Sequence, residues 1–137
     1  GFQLMCRAQF MQMVGFLARC YSHSELPARR ELVRIAEAIA FLENHYAKEI
    51  YIEKLAGIAH MSKRNFLRVF RESMGKSPTA YLLSLRIARA AELLREGRLN
   101  ITEAGFQVGF QDSNYFARQF RAIMGTSPRE YVRRSVV

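Results

Sequence analysis

The sequence predicts an all-α fold, and three observations carry that prediction. Apolar residues recur with helical periodicity along most of the chain, β-branched alternation is almost absent, and no Asn-Gly or Asp-Gly hairpin turn occurs. Gly and Pro fall between the periodic stretches and therefore mark their ends. With 137 residues, of which 50% are hydrophobic and 24% are charged, the chain is long enough for one or two compact units with their own cores.

Composition excludes several classes of protein. No apolar run reaches the roughly 18–20 residues of a membrane span, and the first residues lack the pattern of a secretory signal. The two cysteines, Cys6 and Cys20, have no paired spacing, so reduced thiols in the cytoplasm are expected. Cys20 and His23 share a helix face without further metal ligands, so neither a metal nor a cofactor is expected. The net charge of +9 favours a phosphate-rich partner only slightly over a solvated basic surface.

The first half of the chain contains four predicted helices. The first, over about 3–21, is amphipathic, and a break at SHSELPARR follows it. The second runs from about 30 to 46 because six residues share one apolar stripe at helical spacing: Leu32, Ile35, Ala36, Ile39, Leu42 and Tyr46. A short helix over about 52–59 and another over 63–74 come next. Gly75 stops the latter, since glycine readily adopts the conformation that ends a helix.

The second half contains four more predicted helices. Ser77 caps a long helix that has Pro78 at its first position and that ends at Gly97. A short helix fits about 101–107, and Asp112 caps the next, over about 113–124, which Gly125 stops. Ser127 and Pro128 open the last helix, to about 135. The apolar stripe expected to face the core in the long helix comprises Tyr81, Leu82, Leu85, Ala88 and Leu93. The arginines of this helix, Arg86, Arg89 and Arg95, are expected to be solvated, with a place near phosphate as the alternative.

The chain contains an internal repeat, in which one sequence segment, or phrase, occurs twice in similar form. Residues 66–82 read FLRVFRESMGKSPTAYL, and residues 116–132 read FARQFRAIMGTSPREYV. Upstream of these phrases the two copies match at an offset of 49 residues instead of 50, so the second copy contains one extra residue near Gln111. Each copy contains a short helix, a turn of about four residues and a second helix, which is the helix-turn-helix signature.

The second helix of each copy has an apolar face and a polar face. The apolar faces comprise Phe66, Val69, Phe70 and Met74 in the first copy, and Phe116, Gln119, Phe120 and Ile123 in the second. The outward faces comprise Arg64, Arg68 and Arg71, and Asn114, Arg118 and Arg121. Residues 63–71 contain four bases and no acid, whereas a solvated helix usually mixes both signs. Arginine and asparagine are the side chains that pair with guanine and adenine in the major groove.

The spacing of the two copies also fits duplex DNA. A helix of about 19 residues is about 28 Å long, close to the roughly 34 Å of one turn of B-DNA. The sequence therefore predicts two recognition helices in successive major grooves. The helix N-termini capped by Ser62, Ser77 and Ser127 present free amides to phosphate, whereas Asp112 would repel phosphate and is expected to act only as a cap.

With these two repeated helix-turn-helix segments, the chain resembles the DNA-binding domain of AraC/XylS-type bacterial transcription regulators. The resemblance spans about 31–135 and is most specific in VGFQDSNYFARQFR and MGTSPREY. It implies sequence-specific binding of double-stranded promoter DNA, with activation favoured over repression. It implies base contacts by Arg64, Asn65, Leu67, Arg68, Ser113, Asn114, Ala117 and Arg118, of which Leu67 and Ala117 can only meet a thymine methyl group. The expected phosphate contacts are Ser62, Lys63, Arg71, Lys76, Ser77, Thr79, Arg121 and Ser127.

Two positions depart from the pattern of these regulators. His60 stands where the first turn usually has glycine, which predicts a slightly strained turn. Ala104 and Gly105 stand where Ile-Ala is usual, which predicts a looser first helix in the second copy.

The resemblance also implies a domain organisation. Residues 1–27 are expected to be the last helix of an upstream effector and dimerisation domain with its linker. The Met and Phe stripe in 1–23 is then expected to be core that packed against that domain, with a dimer surface as the alternative. The first helix-turn-helix subdomain is expected at 28–76, the connecting helix at 77–96 and the second subdomain at 97–137. A small-molecule effector and a homodimer would act through the upstream domain, RNA polymerase would be a further partner, and the location would be the bacterial cytoplasm, at the nucleoid.

Other functions receive less support from the sequence. The chain lacks a nucleophile-base pair, an HExxH motif and a glycine-rich phosphate loop, so it is not expected to be an enzyme. RNA binding would need exposed stacking aromatics, and a membrane-surface helix at 1–21 would need more cations than Arg7 and Arg19. The main alternative is a helical protein-interaction module with a solvated basic face.

Overall fold

The computed structural model describes the backbone of residues 26–136 and the side chains of residues 30–136, and this part of the chain contains helices and no strand. The helices are α1 (Leu26–His45), α2 (Ile52–Ile58), α3 (Lys63–Met74), α4 (Pro78–Glu96), α5 (Ile101–Gln107), α6 (Ser113–Met124) and α7 (Pro128–Ser135). The all-α prediction is therefore confirmed for these residues. The predicted helix at 3–21, its Met and Phe stripe and the pair Cys20 and His23 lie outside the described part.

Most predicted helix ends are confirmed, and the start of α1 is the main exception. The helix begins at Leu26 instead of at about residue 30 and ends at His45 instead of Tyr46. Pro27 falls in its first turn, where the missing amide hydrogen costs nothing because no intrahelical acceptor faces that position. The predicted break at SHSELPARR is therefore too long, since its residues from Leu26 onward belong to the helix. The described helices include no stretch whose length and hydrophobicity would let it span a lipid bilayer.

The described residues form two compact units. The first contains 26–44 and Ile50–Ala80, and the second contains His45–Glu49 and 81–136. In the first unit, buried residues of α1, α2, α3 and the turn after α2 form the core: Ile35, Ala38, Ile39, Leu42, Leu55, Ala56, Ala59, Phe66, Val69 and Phe70. The rings of Phe66 and Phe70 lie 5.6 Å apart between centroids, so α3 is anchored through two consecutive turns.

The core of the second unit contains a chain of aromatic contacts. Phe116 of α6 lies 5.1 Å from Phe110 and 5.8 Å from Phe120, and Phe120 lies 5.4 Å from Tyr131 of α7, measured between ring centroids. The last two contacts are edge-on, which is an arrangement that aromatic pairs prefer. Smaller buried residues of this unit include Ile87, Ala90, Ala91, Leu94, Ala104 and Val108.

Two predicted apolar stripes were partly wrong in phase. In α4, Tyr81 is buried as predicted, but Leu82, Leu85, Ala88 and Leu93 are only partly covered. Their place in the core is taken by Ile87, Ala90, Ala91 and Leu94. In α1, Ala36 is exposed and Ala38 is buried. The buried face of α4 combines the large Ile87 and Leu94 with the small Ala90 and Ala91, and small residues let neighbouring elements approach closely.

The helix ends are held by side chains, most of them predicted. The Ser62 hydroxyl accepts a hydrogen bond from the Asn65 amide at 3.2 Å, and Asp112 accepts one from the Asn114 amide at 2.8 Å. Gly75 and Gly125 end α3 and α6 in the left-handed conformation, with φ of 76° and 78°. The capping box of α5 was not predicted, although its signal, Asn100 followed three residues later by Glu103, is present in the sequence.

The turns of the two copies have equivalent backbone hydrogen bonds at the ends of α2 and α5, although their residues differ. The amides of Ala59 and Val108 donate to the equivalent carbonyls of Leu55 and Ala104, at 3.0 and 3.3 Å. The first turn has four residues between its helices and the second has five, which confirms the extra residue. His60 has a φ of 53°, and the equivalent Gly109 has a φ of 106°. A non-glycine side chain is strained in this region, so the predicted strain at His60 is confirmed.

Replacing His60 by Gly is expected to stabilise the protein by about 0.5–1 kcal/mol. The substitution removes left-handed strain of about 1–2 kcal/mol, and the greater freedom of glycine in the unfolded chain offsets part of the gain. Gly109→Ala is the reciprocal control and should destabilise, because a Cβ there would lie 2.8 Å from the Ala47 carbonyl oxygen. Urea denaturation would measure both effects. Equal signs for the two variants would contradict this account.

Gly105→Ala is expected to destabilise the protein by about 1–2 kcal/mol through overpacking. A Cβ at this position would lie 2.8 Å from the ring of Phe116, which is fully buried and packs against the rings of Phe110 and Phe120. The matched control is Gly57→Ala in α2, where a new Cβ meets nothing within 4 Å. That variant should be more stable by about 0.5–1 kcal/mol, since alanine is the better helix former. Thermal unfolding of the two variants should therefore shift in opposite directions.

The close contact at Gly105 also corrects an expectation. The small residues Ala104 and Gly105 were predicted to loosen the first helix of the second copy. Both are buried, and Gly105 lies directly against the Phe116 ring. Small residues here allow a bulky ring to approach the helix backbone, so the packing is close rather than loose.

Candidate nucleic-acid interface

The outward face of α3 carries most of the predicted base contacts of the first unit. Arg64 and Arg68 are exposed, while Asn65 and Leu67 are partly covered. Phe66, Val69 and Phe70 are buried on the opposite side, so packing of the core fixes which residues point outward. The structure thus places these four predicted residues together on one helix.

Arg68 has acidic and amide partners on its own helix. Its Nη1 lies 3.2 Å from Glu72 Oε2, and its Nη2 donates to Asn65 Oδ1 at 2.6 Å. Lys63 forms a second ion pair, 3.0 Å from Glu53 of α2. The hydrogen bond from Lys63 is the main cause that lowers the pKa of the Glu53 carboxyl below its ordinary value. Residues 63–71 contain no acid, but Glu53 and Glu72 pair with two of their four basic side chains. The lack of acids within 63–71 therefore favours a phosphate-rich partner less than the sequence alone suggested.

The outward face of α6 carries the predicted base contacts of the second unit. Ser113, Asn114 and Arg118 are exposed and Ala117 is partly covered, while Phe116 and Phe120 are fully buried behind them. The guanidinium carbon of Arg118 lies 6.0 Å from the centre of the Tyr115 ring, within the range of a cation–π contact. Sequence reasoning missed Tyr115, although a position three residues before an arginine on a helix is the signal for such a neighbour.

The predicted phosphate contacts differ in solvent exposure and in the hydrogen bonds that they already form. Lys63, Arg71, Thr79 and Arg121 are exposed, as is Ser62. The hydroxyls of Ser77 and Ser127 are partly buried and accept hydrogen bonds from the amides of Ala80 and Glu130, both at 3.2 Å. Lys76 is also partly buried, and desolvation lowers the pKa of its ammonium group. Ser77 and Ser127 are thus engaged as helix caps.

Arg86 corrects a prediction, because its guanidinium is not mainly solvated. It is half-buried in the second unit, where Nε donates to the Tyr46 carbonyl at 2.6 Å and Nη2 donates to the Lys48 carbonyl at 2.9 Å. The guanidinium carbon lies 6.0 Å from the centre of the Phe110 ring. Burial lowers the pKa of the Arg86 guanidinium. Arg86 therefore ties the segment His45–Glu49 to α4 and to the turn before α6.

The surface at the start of α6 carries both signs of charge. An open depression of about 480 Å³ is lined by the acids Glu49 and Asp112 and by the bases Arg86 and Arg118, among others. Because Asp112 uses its carboxylate to cap α6, this helix end is poorly suited to phosphate. Among the described residues, no three His, Cys, Asp or Glu side chains gather as metal ligands would.

Fold and surface together define a class of protein: a pair of helix-turn-helix units, each presenting a basic helix over an aromatic core. The chain belongs to the helix-turn-helix family of AraC/XylS-type DNA-binding domains, since a family model described as "Helix-turn-helix domain" matches residues 55–134, more than half of the chain. The family consists of transcription regulators, so the prediction that the chain is not an enzyme is confirmed.

Curated relatives extend well beyond the length of this chain. The HTH-type transcriptional activator RhaS of Klebsiella pneumoniae (strain 342) is 34% identical over 121 residues, which are 88% of this chain and 43% of that protein. The activator of the same name from Escherichia fergusonii is 38% identical over 97 residues, which are 71% of this chain and 35% of that protein. The chain therefore spans less than half the length of these relatives.

Solved structures show the same fold. The DNA-binding domain of AdpA, a global transcriptional factor solved in complex with a target DNA, is 31% identical with a TM-score of 0.68, over 72% of this chain and 89% of that one. A probable AraC family transcriptional regulator from Rhodopseudomonas palustris CGA009 is 30% identical with a TM-score of 0.69, over 74% of this chain and 96% of that one.

Proposed function

We propose that this chain binds double-stranded promoter DNA sequence-specifically and regulates transcription, with activation as the favoured outcome. In this proposal α3 and α6 are the recognition helices and lie in successive major grooves. The observation that carries it is the matching design of these helices. Each buries two phenylalanines on one face and exposes arginine on the other, with an asparagine nearby that is exposed in α6 (Asn114) and partly covered in α3 (Asn65).

The exposed side chains suit the edges of bases. Arg64, Arg68 and Arg118 carry the planar fork that pairs with guanine O6 and N7, and Asn114 carries an amide that pairs with adenine. Ser113 can bond to several bases, while Leu67 and Ala117 can only contact a thymine methyl group. Asn65 is a further candidate, although its carbonyl oxygen accepts from Arg68 in the free protein.

Phosphate contacts would set the orientation of each unit without reading sequence. The exposed candidates are Ser62, Lys63, Arg71, Thr79 and Arg121, and the partly covered ones are Lys76, Ser77 and Ser127. The last two would offer the amides at the starts of their helices rather than their hydroxyls, which serve as caps. The net charge of +9 supports a phosphate-rich partner.

The curated relatives are named as transcriptional activators, which supports activation by this chain. In the full-length regulator, further parts would contribute. An upstream domain would bind a small-molecule effector and form a homodimer, with residues 1–27 at its end. The subdomains would be 28–76 and 97–137, joined by 77–96. RNA polymerase would be a partner, and the protein would act on the nucleoid in the bacterial cytoplasm.

Selection of random duplex DNA on this chain tests the proposal. We expect enrichment of two short motifs about one turn of DNA apart, bound with an affinity that falls as salt rises. Binding with a steep salt dependence but no enriched motif would contradict base reading and leave a module that grips phosphate. An absence of binding would favour the protein-interaction module, for which the ion pairs of Arg68 and Lys63 provide some support.

A further inference from the structure

The two recognition helices carry an arginine at equivalent positions of the repeat, Arg68 and Arg118, but the two side chains contact different partners. In α3, Arg68 Nη1 donates to both carboxylate oxygens of Glu72, at 3.3 and 3.2 Å, and Nη2 donates to Asn65 Oδ1 at 2.6 Å. In α6, the residue four positions after Arg118 is Ala122, which is exposed and carries no charge. Arg118 instead lies beside the ring of Tyr115.

We propose that Glu72 is a positioning residue that sets the sequence specificity of the first unit by aiming the Arg68 fork at a guanine. This inference rests on the proposed function, because it concerns how one of the proposed base contacts is made. It predicts that the first unit reads its guanine more strictly than the second unit reads the base that faces Arg118.

Orientation before binding is the first physical reason. An arginine that moves freely in solution must give up rotamer freedom when its fork docks on guanine, and that loss weakens binding. Two partners on the same helix already restrict Arg68. An exposed ion pair four residues apart adds little to folding stability, so the main effect of Glu72 would fall on recognition rather than on folding.

Charge is the second reason. If Arg68 turned to a nearby phosphate, the Glu72 carboxylate would lose its partner and face the negative backbone. This penalty falls on binding to random DNA, and a penalty on the wrong partner raises specificity. The bond to Asn65 acts in the same direction, because the Asn65 oxygen then has one acceptor position fewer to offer to a base.

The test compares three proteins in the same selection of random duplex DNA: the unchanged chain, Glu72→Gln and Ala122→Glu. Glu72→Gln keeps the side-chain shape and removes the charge. We expect the guanine preference in the first motif to fall about fivefold, part of the discrimination that a bidentate pair provides, while the second motif stays unchanged. Ala122→Glu places a carboxylate four residues after Arg118, and we expect it to sharpen the second motif only.

Each outcome decides the matter. An unchanged first motif in Glu72→Gln would overturn the inference and leave the proposed function intact. Equal weakening of both motifs would also overturn it, since that pattern indicates damage to the fold. The melting temperature, expected to move by no more than about 2 °C, checks for such damage. A second motif that stays unchanged in Ala122→Glu would count as a failure too. If the unchanged chain enriches no motif, both the inference and the proposed function fall.

Discussion

Replacing Phe120 by Ala is expected to destabilise the protein by about 3–5 kcal/mol. Phe120 is fully buried in the second unit and its ring contacts the rings of both Phe116 and Tyr131. The substitution removes this apolar surface and both edge-on ring contacts, and it leaves a cavity that the surrounding helices cannot close without moving. Urea denaturation followed by far-UV circular dichroism would measure the loss.

Phe106→Ala provides the matched control for this prediction. Phe106 lies in α5 of the same unit, but 53% of its surface is exposed, so its truncation should change stability by less than about 0.5 kcal/mol. Phe70→Ala, at the equivalent place in the first unit, should resemble Phe120→Ala because Phe70 is also fully buried. Similar effects at Phe106 and Phe120 would show that Phe120 is not the anchor of α6.

The fold was predictable because helix ends and aromatic anchors leave local signals. Ser62, Asp112 and Gly75 act at the positions where the sequence placed them, and Phe66 and Phe116 are buried as their spacing predicted. Errors arose where a rule on residue type ignored context. The segment SHSELPARR was read as a break although α1 already begins at Leu26 within it, and the stripe predicted for α4 missed the buried face of Ile87, Ala90, Ala91 and Leu94.

The candidate interface was predictable as a face but not as a set of contacts. Helical periodicity places Arg68 and Arg118 outward, and the structure agrees. Periodicity within one helix does not reveal partners that are distant in sequence. Arg86 was expected to be solvated, yet it donates to the carbonyl of Tyr46, which lies 40 residues earlier in the chain. Such a contact depends on how the chain folds back, which a local pattern cannot show.

Replacing Arg118 by Ala is expected to weaken binding to a cognate site by about 1–3 kcal/mol and to relax specificity at one base pair of the second motif. The Arg118 fork is exposed on α6, and alanine has no donor for guanine O6 or N7. Arg68→Ala should act in the same way on the first motif. The measurement is the affinity of each variant for the cognate site and for random DNA, at several salt concentrations.

Arg121→Ala separates base reading from the attraction of phosphate on the same helix. Arg121 is exposed one turn closer to the end of α6 and is a candidate for a phosphate contact. Its loss should weaken binding about equally on all sequences and reduce the salt slope by about one. Arg118→Ala should instead lower the ratio of cognate to random binding. If Arg118→Ala behaves like Arg121→Ala, Arg118 contacts phosphate, and the base-reading role of α6 would have to rest on Ser113, Asn114 and Ala117.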